Sequence, residues 1–357
     1  MEQDRKTGSG GLPASGVQNP LVLVVRFSSI GDVLLTTPVL RAIKTRWPGA
    51  HVAFLTKERF AAMIEGNPHV DELIRVSDSA DTAEMRAVAR RLIARPWHLV
   101  ADLHGSIRSR LVCRSVGAAH TVRYSNHRLK RSLLIYGRLD LYGPEPPSVP
   151  ERYAACLEKF GVELDDKPCE LHLGDNDRAE AAGLIDQKWD SGMKYIAVAP
   201  GAAWPIKRWP VERFAEAAQK ISRQKEWKIV LLGGPGDSGT CAEVAARLPD
   251  RQKILDLSGK LSLRGAAAAV ERAEFLLTND TGLMHVATAV GTPLTAVFGP
   301  TVKQFGYFPY RPANAKVVEA ELWCRPCTHN GRAKCPLGHF KCMREVGVEG
   351  GVEGVVG

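Results

Sequence analysis

The segment FSSIGD, residues 27–32, follows the apolar run LVLVVR and carries two serines, a glycine and the carboxylate of Asp32. A carboxylate in a loop at the end of a strand can take the proton of an attacking hydroxyl, which is the task of a general base. The same residue type is also common as a helix cap. The segment is therefore consistent with a catalytic base and with a cap.

The segment TNDTGLMH, residues 278–285, runs from an apolar strand straight into a helix. Free amides in the first turn and the helix dipole favour an anion such as a phosphate there. Gly282 allows close approach to the backbone, and Thr281 adds a hydroxyl. The alternative is that Asp280 only caps the helix. His285, one turn later, could reach a phosphate oxygen or fix the loop, whereas a lone histidine on a helix usually serves in packing or lies on the surface.

The loop PGAAWPIKRWP, residues 200–210, carries Lys207 and Arg208 between two tryptophans. Packing of the tryptophans would hold the loop in one shape, so that a cation is presented to an anion at the 280–282 turn. A solvated lysine and arginine beside a buried tryptophan are the alternative.

The loop GGPGDSG, residues 233–239, matches the dinucleotide-binding pattern G-x-G-x-x-G, with Asp256 loosely at the acidic position. Asp237 can instead bond a ribose hydroxyl or an adenine edge. A turn followed by a helix explains the glycines equally well.

Two further segments are unusual in composition. Residues 104–131 are rich in arginine and lysine, which is typical of a solvated face, an acidic-acceptor site or a surface that meets anionic lipid.

Near the C-terminus, four cysteines follow the spacing C-x2-C-x7-C-x6-C: Cys324, Cys327, Cys335 and Cys342. The first pair can share one tetrahedral metal, so a structural zinc, a redox-sensitive disulfide and plain thiols are the three interpretations.

These loops need strands and helices to position them. Short apolar runs alternate with helical segments in both halves, which predicts βαβ units and parallel sheets whose ligands bind at the carboxyl ends of the strands. We place domains at 20–170 and 171–343. Residues 1–19 are rich in Gly, Ser, Pro and charge and are expected to be disordered, and the low-complexity end, 344–357, is expected to be a flexible tail.

The composition agrees with a globular α/β protein. The length of 357 residues suggests two domains, and the net charge, 48 − 39 = +9, suggests an anionic partner. The N-terminus lacks the apolar stretch of a secretory signal, and no run approaches the ~18 apolar residues of a membrane helix. We therefore expect a cytoplasmic protein that is at most peripheral to a membrane.

Several motifs together resemble those of the lipopolysaccharide heptosyltransferases. VVRFSSIGDVLLTTPVLRAIK, DLHGSIRS, PGAAWPIKRWP, LLGGPGD and LTNDTGLMHVATAVGTPLTAVFGPT occur in the order seen in that family, and CRPC…CPLGHFKCM resembles the end of many members. The resemblance spans residues 21–343. It implies the GT-B fold, in which two Rossmann-like domains with parallel sheets face a central cleft. The N-terminal domain would bind the acceptor and the C-terminal domain the nucleotide-sugar.

The resemblance also implies a reaction: inverting, metal-independent transfer of a heptose or similar sugar from an ADP-sugar to a lipopolysaccharide inner-core acceptor. Asp32 is then the base. Donor and phosphate binding are assigned to Lys207, Asp280, Thr281, Gly282, His285 and Asp237, and acceptor binding to Ser29, Lys57, His104 and Arg108. The implied partners are an ADP-sugar and an anionic glycolipid of the lipid A–Kdo type at the inner face of the inner membrane. Catalysis would need no cofactor, and no nucleic-acid partner is expected.

Other functions compete with this one. A nicotinamide-dependent oxidoreductase would use the GGPGDSG loop, but residues 21–45 contain no dinucleotide fingerprint. A nucleic-acid binder would explain the positive charge, but aromatic residues make up only 7% of the chain. A glycosyltransferase of the same family with another sugar and acceptor, or an inactive member, would keep the motifs.

Overall fold

The computed structural model describes residues 18–355. The disorder predicted for residues 1–19 falls almost wholly outside that range. Within it, two parallel sheets form the two halves of the molecule.

The first half holds a parallel sheet of order β3-β2-β1-β4-β5 in the described chain. Its strands are Leu21–Val25 (β1), His51–Lys57 (β2), Glu72–Val76 (β3), Leu99–Asp102 (β4) and His120–Arg123 (β5). Its helices are Ile30–Leu34 (α1), Thr37–Arg46 (α2), Glu58–Ala61 (α3), Thr82–Ile93 (α4), Ile107–Ser115 (α5), Arg128–Gly137 (α6) and Val149–Ala155 (α7).

The second half holds a parallel sheet of order β11-β10-β9-β6-β7-β8 in the same described range. Its strands are Tyr195–Ala199 (β6), Lys228–Leu231 (β7), Ile254–Asp256 (β8), Phe275–Asn279 (β9), Leu294–Phe298 (β10) and Ala315–Glu319 (β11). The helices are Asp175–Ile185 (α8), Val211–Lys225 (α9), Ser238–Arg247 (α10), Leu263–Arg272 (α11), Gly282–Val290 (α12), Lys341–Arg344 (α13) and Val348–Glu353 (α14).

The strand orders explain both the buried cores and the position of the loops. Central strands such as β1 and β6 are covered on both faces, which is why they are continuous apolar runs rather than alternating ones. In each half the strand order reverses beside the first strand, between β1 and β4 and between β6 and β9. Crevices that bind ligands form at the carboxyl ends of strands at such switch points. The predicted α/β fold with two Rossmann-like halves is confirmed.

The C-terminal end differs from the prediction of a flexible tail. Residues Val348–Glu353 form a helix that packs on α9 and buries Val348 and Val352. The glycines that made the segment look low in complexity allow close packing, because a Cβ at Gly350 would lie 2.7 Å from a Val318 methyl. The apolar valines at helical spacing therefore outweigh the glycine content. No helix in residues 18–355 is long and apolar enough to cross a membrane.

Candidate active site

The motif loops meet in a cavity of about 580 Å³ between the two halves. The loops after β1 and β4 contribute from the first half, and those after β6 and β9 contribute from the second. Asp32, Lys207, Thr281 and Gly282 all line this cavity. Residues far apart in the chain are thus brought together because they follow the strands at the two switch points.

Asp32 takes part in a helix cap and also faces the cavity. It lies in the first turn of α1, where its Oδ2 accepts hydrogen bonds from the amide of Ser29 (3.1 Å) and from the Ser29 hydroxyl (2.8 Å). This cap belongs to α1, a separate short helix that precedes the helix starting at Thr37. Capping orients the carboxylate and does not withdraw it from the cavity.

Arg26 is the partner of Asp32 that sequence reasoning missed. Its Nη2 lies 2.7 Å from Asp32 Oδ1, while its Nε and Nη1 each donate at 2.7 Å to the carbonyls of Ser28 and Leu103. Burial alone would raise the pKa of Asp32, but the Arg26 charge and the Ser29 hydrogen bonds outweigh it, so the pKa lies below its ordinary value. The signal in the sequence was a lone arginine directly after the buried residues of a strand.

The turn between β9 and α12 has the features of an anion site. Thr281 precedes the helix without a side-chain cap, so the amides of the first turn remain available to a ligand. The Asp280 amide is not free to bind an anion, because it donates to the Val297 carbonyl at 3.2 Å. Its carboxylate instead holds the Lys207 ammonium at 2.6 Å and the Thr301 hydroxyl at 2.7 Å. Asp280 therefore positions the lysine beside the turn.

His285 lies buried where the two halves touch. Its ring packs against Gly31 so closely that a Cβ there would lie 2.3 Å from Cδ2. Burial lowers the pKa of this histidine, so the ring is neutral at neutral pH. Of the two predicted uses, fixing the loop is the one that this packing favours.

Asp237 lies in a second cavity of about 600 Å³ that adjoins the first at Thr281 and Gly282. Its Oδ2 accepts a hydrogen bond from the Gly234 amide at 3.0 Å. The carboxylate packs against Gly201, where a Cβ would lie 2.2 Å from its Cγ. Gly201 and Gly233 thus make room for a carboxylate in the wall of this cavity, whose volume is sufficient for a nucleoside.

The four predicted acceptor residues separate into two pairs. Ser29 and His104 line the same cavity as Asp32. Lys57 and Arg108 line a small adjoining cavity that shares Ser28 and His104 with the first, and their side chains donate to the carbonyls of Asp78 and Ala80. The cavity wall also includes polar residues that the motifs did not indicate: Tyr124, Asn126, Arg131, Tyr307, His329 and Asn330.

The four C-terminal cysteines are free and surround a cavity of about 200 Å³. The Cys324 sulfur lies 3.9 Å from His339 Nε2. Across residues 18–355, however, no three His, Cys, Asp or Glu side chains are placed to hold a metal ion. The structural zinc, the redox-sensitive disulfide and the plain thiols that the spacing suggested therefore stay predictions.

Known proteins with similar sequences belong to the family that these motifs resemble. The model of the family "Glycosyltransferase family 9 (heptosyltransferase)" matches residues 85–337. Lipopolysaccharide heptosyltransferase 2 of Salmonella typhimurium is 27% identical over 80% of this chain and 84% of its own. Lipopolysaccharide heptosyltransferase 1 of Pseudomonas aeruginosa is 27% identical over 78% and 79%.

Solved structures give the same result. A family 9 glycosyltransferase from Veillonella parvula superposes with a TM-score of 0.73 and 30% identity, over 84% of this chain and 86% of that one. Escherichia coli ADP-heptose LPS heptosyltransferase II has a TM-score of 0.72 and 23% identity, over 94% and 97%. The oxidoreductase alternative has no support among these relatives. The chain belongs to glycosyltransferase family 9, the heptosyltransferases, and is a glycosyltransferase with the GT-B fold.

Proposed function

We propose that this enzyme transfers a heptose from ADP-heptose to the inner core of lipopolysaccharide, with inversion and without a metal ion. The observation that carries the proposal is that Asp32 and the Lys207–Thr281–Gly282 group line one cavity from opposite halves. Such a cavity can hold an acceptor hydroxyl on one side and a leaving diphosphate on the other.

The sugar and the acceptor are taken from the relatives. Their names state heptosyl transfer to lipopolysaccharide, and ADP-heptose appears in the name of the E. coli enzyme that shares the fold. Such an acceptor is an anionic glycolipid, and its charge matches the basic segment 104–131. We accordingly place the enzyme at the inner face of the inner membrane.

In the reaction, the acceptor oxygen forms a bond to the anomeric carbon as the bond from that carbon to the diphosphate oxygen breaks. Asp32 accepts the proton of the attacking hydroxyl. One in-line displacement opposite the leaving group inverts the anomeric centre. ADP leaves with the bonding electrons, and its added negative charge meets the first-turn amides of α12 and the Lys207 ammonium.

The same geometry supports a donor orientation and a metal-independent reaction. A diphosphate at Thr281 and Gly282 would direct its nucleoside into the second cavity, towards Asp237. The sugar would then face Asp32 in the first cavity. Lys207 and the helix amides supply positive charge at the leaving group, which is the role that a metal ion has in other transferases.

The donor half of the proposal is tested by thermal unfolding with ADP, UDP, GDP and NAD. A ligand at about 100 times its dissociation constant adds about 2.7 kcal/mol to the free energy of unfolding. We expect ADP to give the largest shift and Lys207→Ala to reduce it, because the ammonium beside the anion site is lost. Lys194→Ala, which removes an exposed lysine paired with Glu274, is the matched control. Equal shifts for all four nucleotides would contradict the donor assignment.

The catalytic half is tested with Asp32→Asn. We expect kcat to fall by about 10²–10⁴-fold while the ADP-induced shift is retained, since the amide keeps the shape but cannot accept a proton. Sugar transfer is followed by ADP release and by mass change of the acceptor. An Asp32→Asn variant with wild-type kcat would exclude Asp32 as the base.

A further inference from the structure

One face of the molecule is both apolar and exposed. Leu129 and Tyr136 lie seven residues apart on α6, and hence on the same side of that helix, with exposed fractions of 73% and 75%. Trp323, 76% exposed, and Leu337 belong to the cysteine-rich segment and border the same 200 Å³ cavity as Tyr136. We call these four residues the α6 face.

The α6 face lies next to the catalytic cavity. Arg131 on α6 and His329 in the cysteine-rich segment line the catalytic cavity, whereas Tyr136 and Trp323 line the 200 Å³ cavity. The same two segments thus separate one cavity from the other. They are joined by a hydrogen bond of 2.7 Å from Arg138 to the Pro326 carbonyl. A molecule that leaves the catalytic cavity between these segments would meet the α6 face.

The segment that contains α6 is strongly basic. Residues 103–139 contain no Asp or Glu and eight basic residues: Arg108, Arg110, Arg114, Arg123, Arg128, Lys130, Arg131 and Arg138. Within residues 18–355, no carboxylate forms an ion pair with the exposed Arg110, Arg114, Arg128 or Lys130. Helix α5, which carries the first two, begins at the end of β4, beside the strand that leads to α6.

We propose that the α6 face docks on an anionic lipid bilayer and holds the catalytic cavity over the membrane that contains the acceptor. Exposed Trp, Tyr and Leu side chains enter the interfacial region of a bilayer, and flanking lysines and arginines are attracted to anionic headgroups. A second protein copy would also cover apolar residues, but the basic residues of α5 and α6 would then lie close to those of the partner copy across a two-fold interface. The inference rests on the proposed function, because a lipid-anchored acceptor is what brings a membrane to the cavity.

The test is cosedimentation of the full chain with vesicles of phosphatidylcholine, with and without about one-third phosphatidylglycerol. We expect binding to the anionic vesicles and at least tenfold weaker binding for the triple variant Leu129→Ser, Tyr136→Ser, Trp323→Ser. The matched control is the double variant Ile93→Ser, Met193→Ser, which removes exposed apolar side chains outside the α6 face. Unfolding temperatures of all variants establish that they fold.

The outcomes separate this inference from the proposed function. The inference is overturned if the wild-type protein does not bind anionic vesicles, or if the triple variant binds them as well as the wild type does. The inference is also overturned if the wild-type protein is a dimer, the triple variant is a monomer, and both bind vesicles equally well. Transfer to a water-soluble deacylated acceptor is measured in parallel, and we expect the triple variant to retain it. If the wild-type protein bound anionic vesicles but transferred no sugar to the deacylated acceptor, the proposed enzyme reaction alone would be refuted.

Discussion

Arg26 and Asp32 form a largely buried ion pair in the wall of the catalytic cavity, with side chains 7% and 15% exposed, and this pair sets the pKa of the base. A carboxylate buried without a partner would be protonated more easily, whereas this one is held ionised by the arginine and by Ser29. The carboxylate is therefore in its proton-accepting form well below neutral pH. A lowered pKa makes the carboxylate a weaker base than an ordinary aspartate, so the positive site for the leaving group carries much of the catalysis.

Replacing Arg26 tests this account through pH. In Arg26→Gln, burial remains and the compensating charge is lost, so the pKa of Asp32 rises. We expect the acid limb of the kcat/KM profile to move up by about 1–3 pH units. Arg26→Lys keeps the charge and serves as the control with a smaller shift. An acid limb that does not move in Arg26→Gln would show that Asp32 is not the group that titrates.

The same pair contributes to stability in a defined pH range. Because the pKa of Asp32 is lower in the folded state than its ordinary value of 3.8, the contribution is complete above that value and is lost as pH falls through the folded-state pKa. Arg26→Gln should cost about 3–5 kcal/mol at neutral pH, since it leaves a buried charge unpaired. Denaturant unfolding at several pH values measures both effects.

At this scale the sequence indicated residues better than it indicated contacts. Asp32, Lys207, Thr281 and Gly282 were predicted as one site, and they line one cavity. Arg26, which belongs to a strand end that looked only apolar, was not predicted, because an ion pair within seven residues leaves no periodic signal. Lys57 and Arg108, predicted with the acceptor site, line the adjoining small cavity and donate to backbone carbonyls there, which no motif indicates.

Helices α1 and α12 bring the base and the anion site together. Both begin at loops that follow strands at a switch point, and their contact depends on small residues. Gly31 faces the His285 ring, and a Cβ at Gly282 would lie 3.0 Å from Ile30. The glycines of the two motifs therefore serve helix–helix contact across the cleft as well as substrate approach.

Gly31→Ala tests this contact. We expect a loss of about 1–3 kcal/mol in the free energy of unfolding, because the new methyl overlaps His285. In a His285→Ala background the same change should cost little, giving a coupling of about 0.5–3 kcal/mol in a double-mutant cycle. Gly183→Ala, on α8 with no neighbour near its Cβ, is the control and should be neutral or slightly stabilising. Additive costs would show that the two residues do not contact each other.

Helix α14 gives a second prediction about elements. Val352→Ala removes two buried methyl groups, so we expect a loss of about 1.5–2 kcal/mol in the free energy of unfolding. Glu349→Ala on the same helix breaks only an exposed pair with Lys220 and should cost less than about 1 kcal/mol. Urea denaturation compares the two. Equal and negligible effects would support the tail that composition predicted.

Strands were predicted more reliably than short helices. Continuous apolar runs gave β1, β2, β6, β9 and β10, since burial on both faces leaves a strong signal. Helix α1 has only five residues and α14 six, too few for an amphipathic period to be recognised. The glycines of α14 also have low helix propensity, and the packing of this helix on α9 outweighs it.

The whole molecule presents a cleft whose two sides come from separate sheets, so their relative placement matters for catalysis. Two buried or partly buried arginines cross between the halves. Arg152 on α7 donates to the carbonyls of Gln304 (2.6 Å) and Phe305 (3.0 Å). Arg264 on α11 donates to the carbonyls of Ala62 (2.7 Å) and Glu65 (3.1 Å) and pairs with Asp177. No motif indicated these bridges, because their acceptors are backbone carbonyls and carry no sequence signature.

Arg264→Met separates donor binding from alignment of the two halves. The nucleotide residues Lys207, Asp237, Thr281 and Gly282 all come from the second half, so we expect the ADP-induced thermal shift to be retained. Asp32 comes from the first half, and a misplacement near 1 Å can cost about 10²-fold in rate, so kcat/KM should fall by about 10-fold or more. Arg247→Met, which breaks an exposed pair with Glu212 inside the second half, is the matched control. Loss of catalysis with ADP binding intact would show that the alignment of Asp32 with the donor depends on the Arg264 bridge. If Arg264→Met weakened ADP binding and catalysis equally, the arginine would act on the nucleotide-binding half alone.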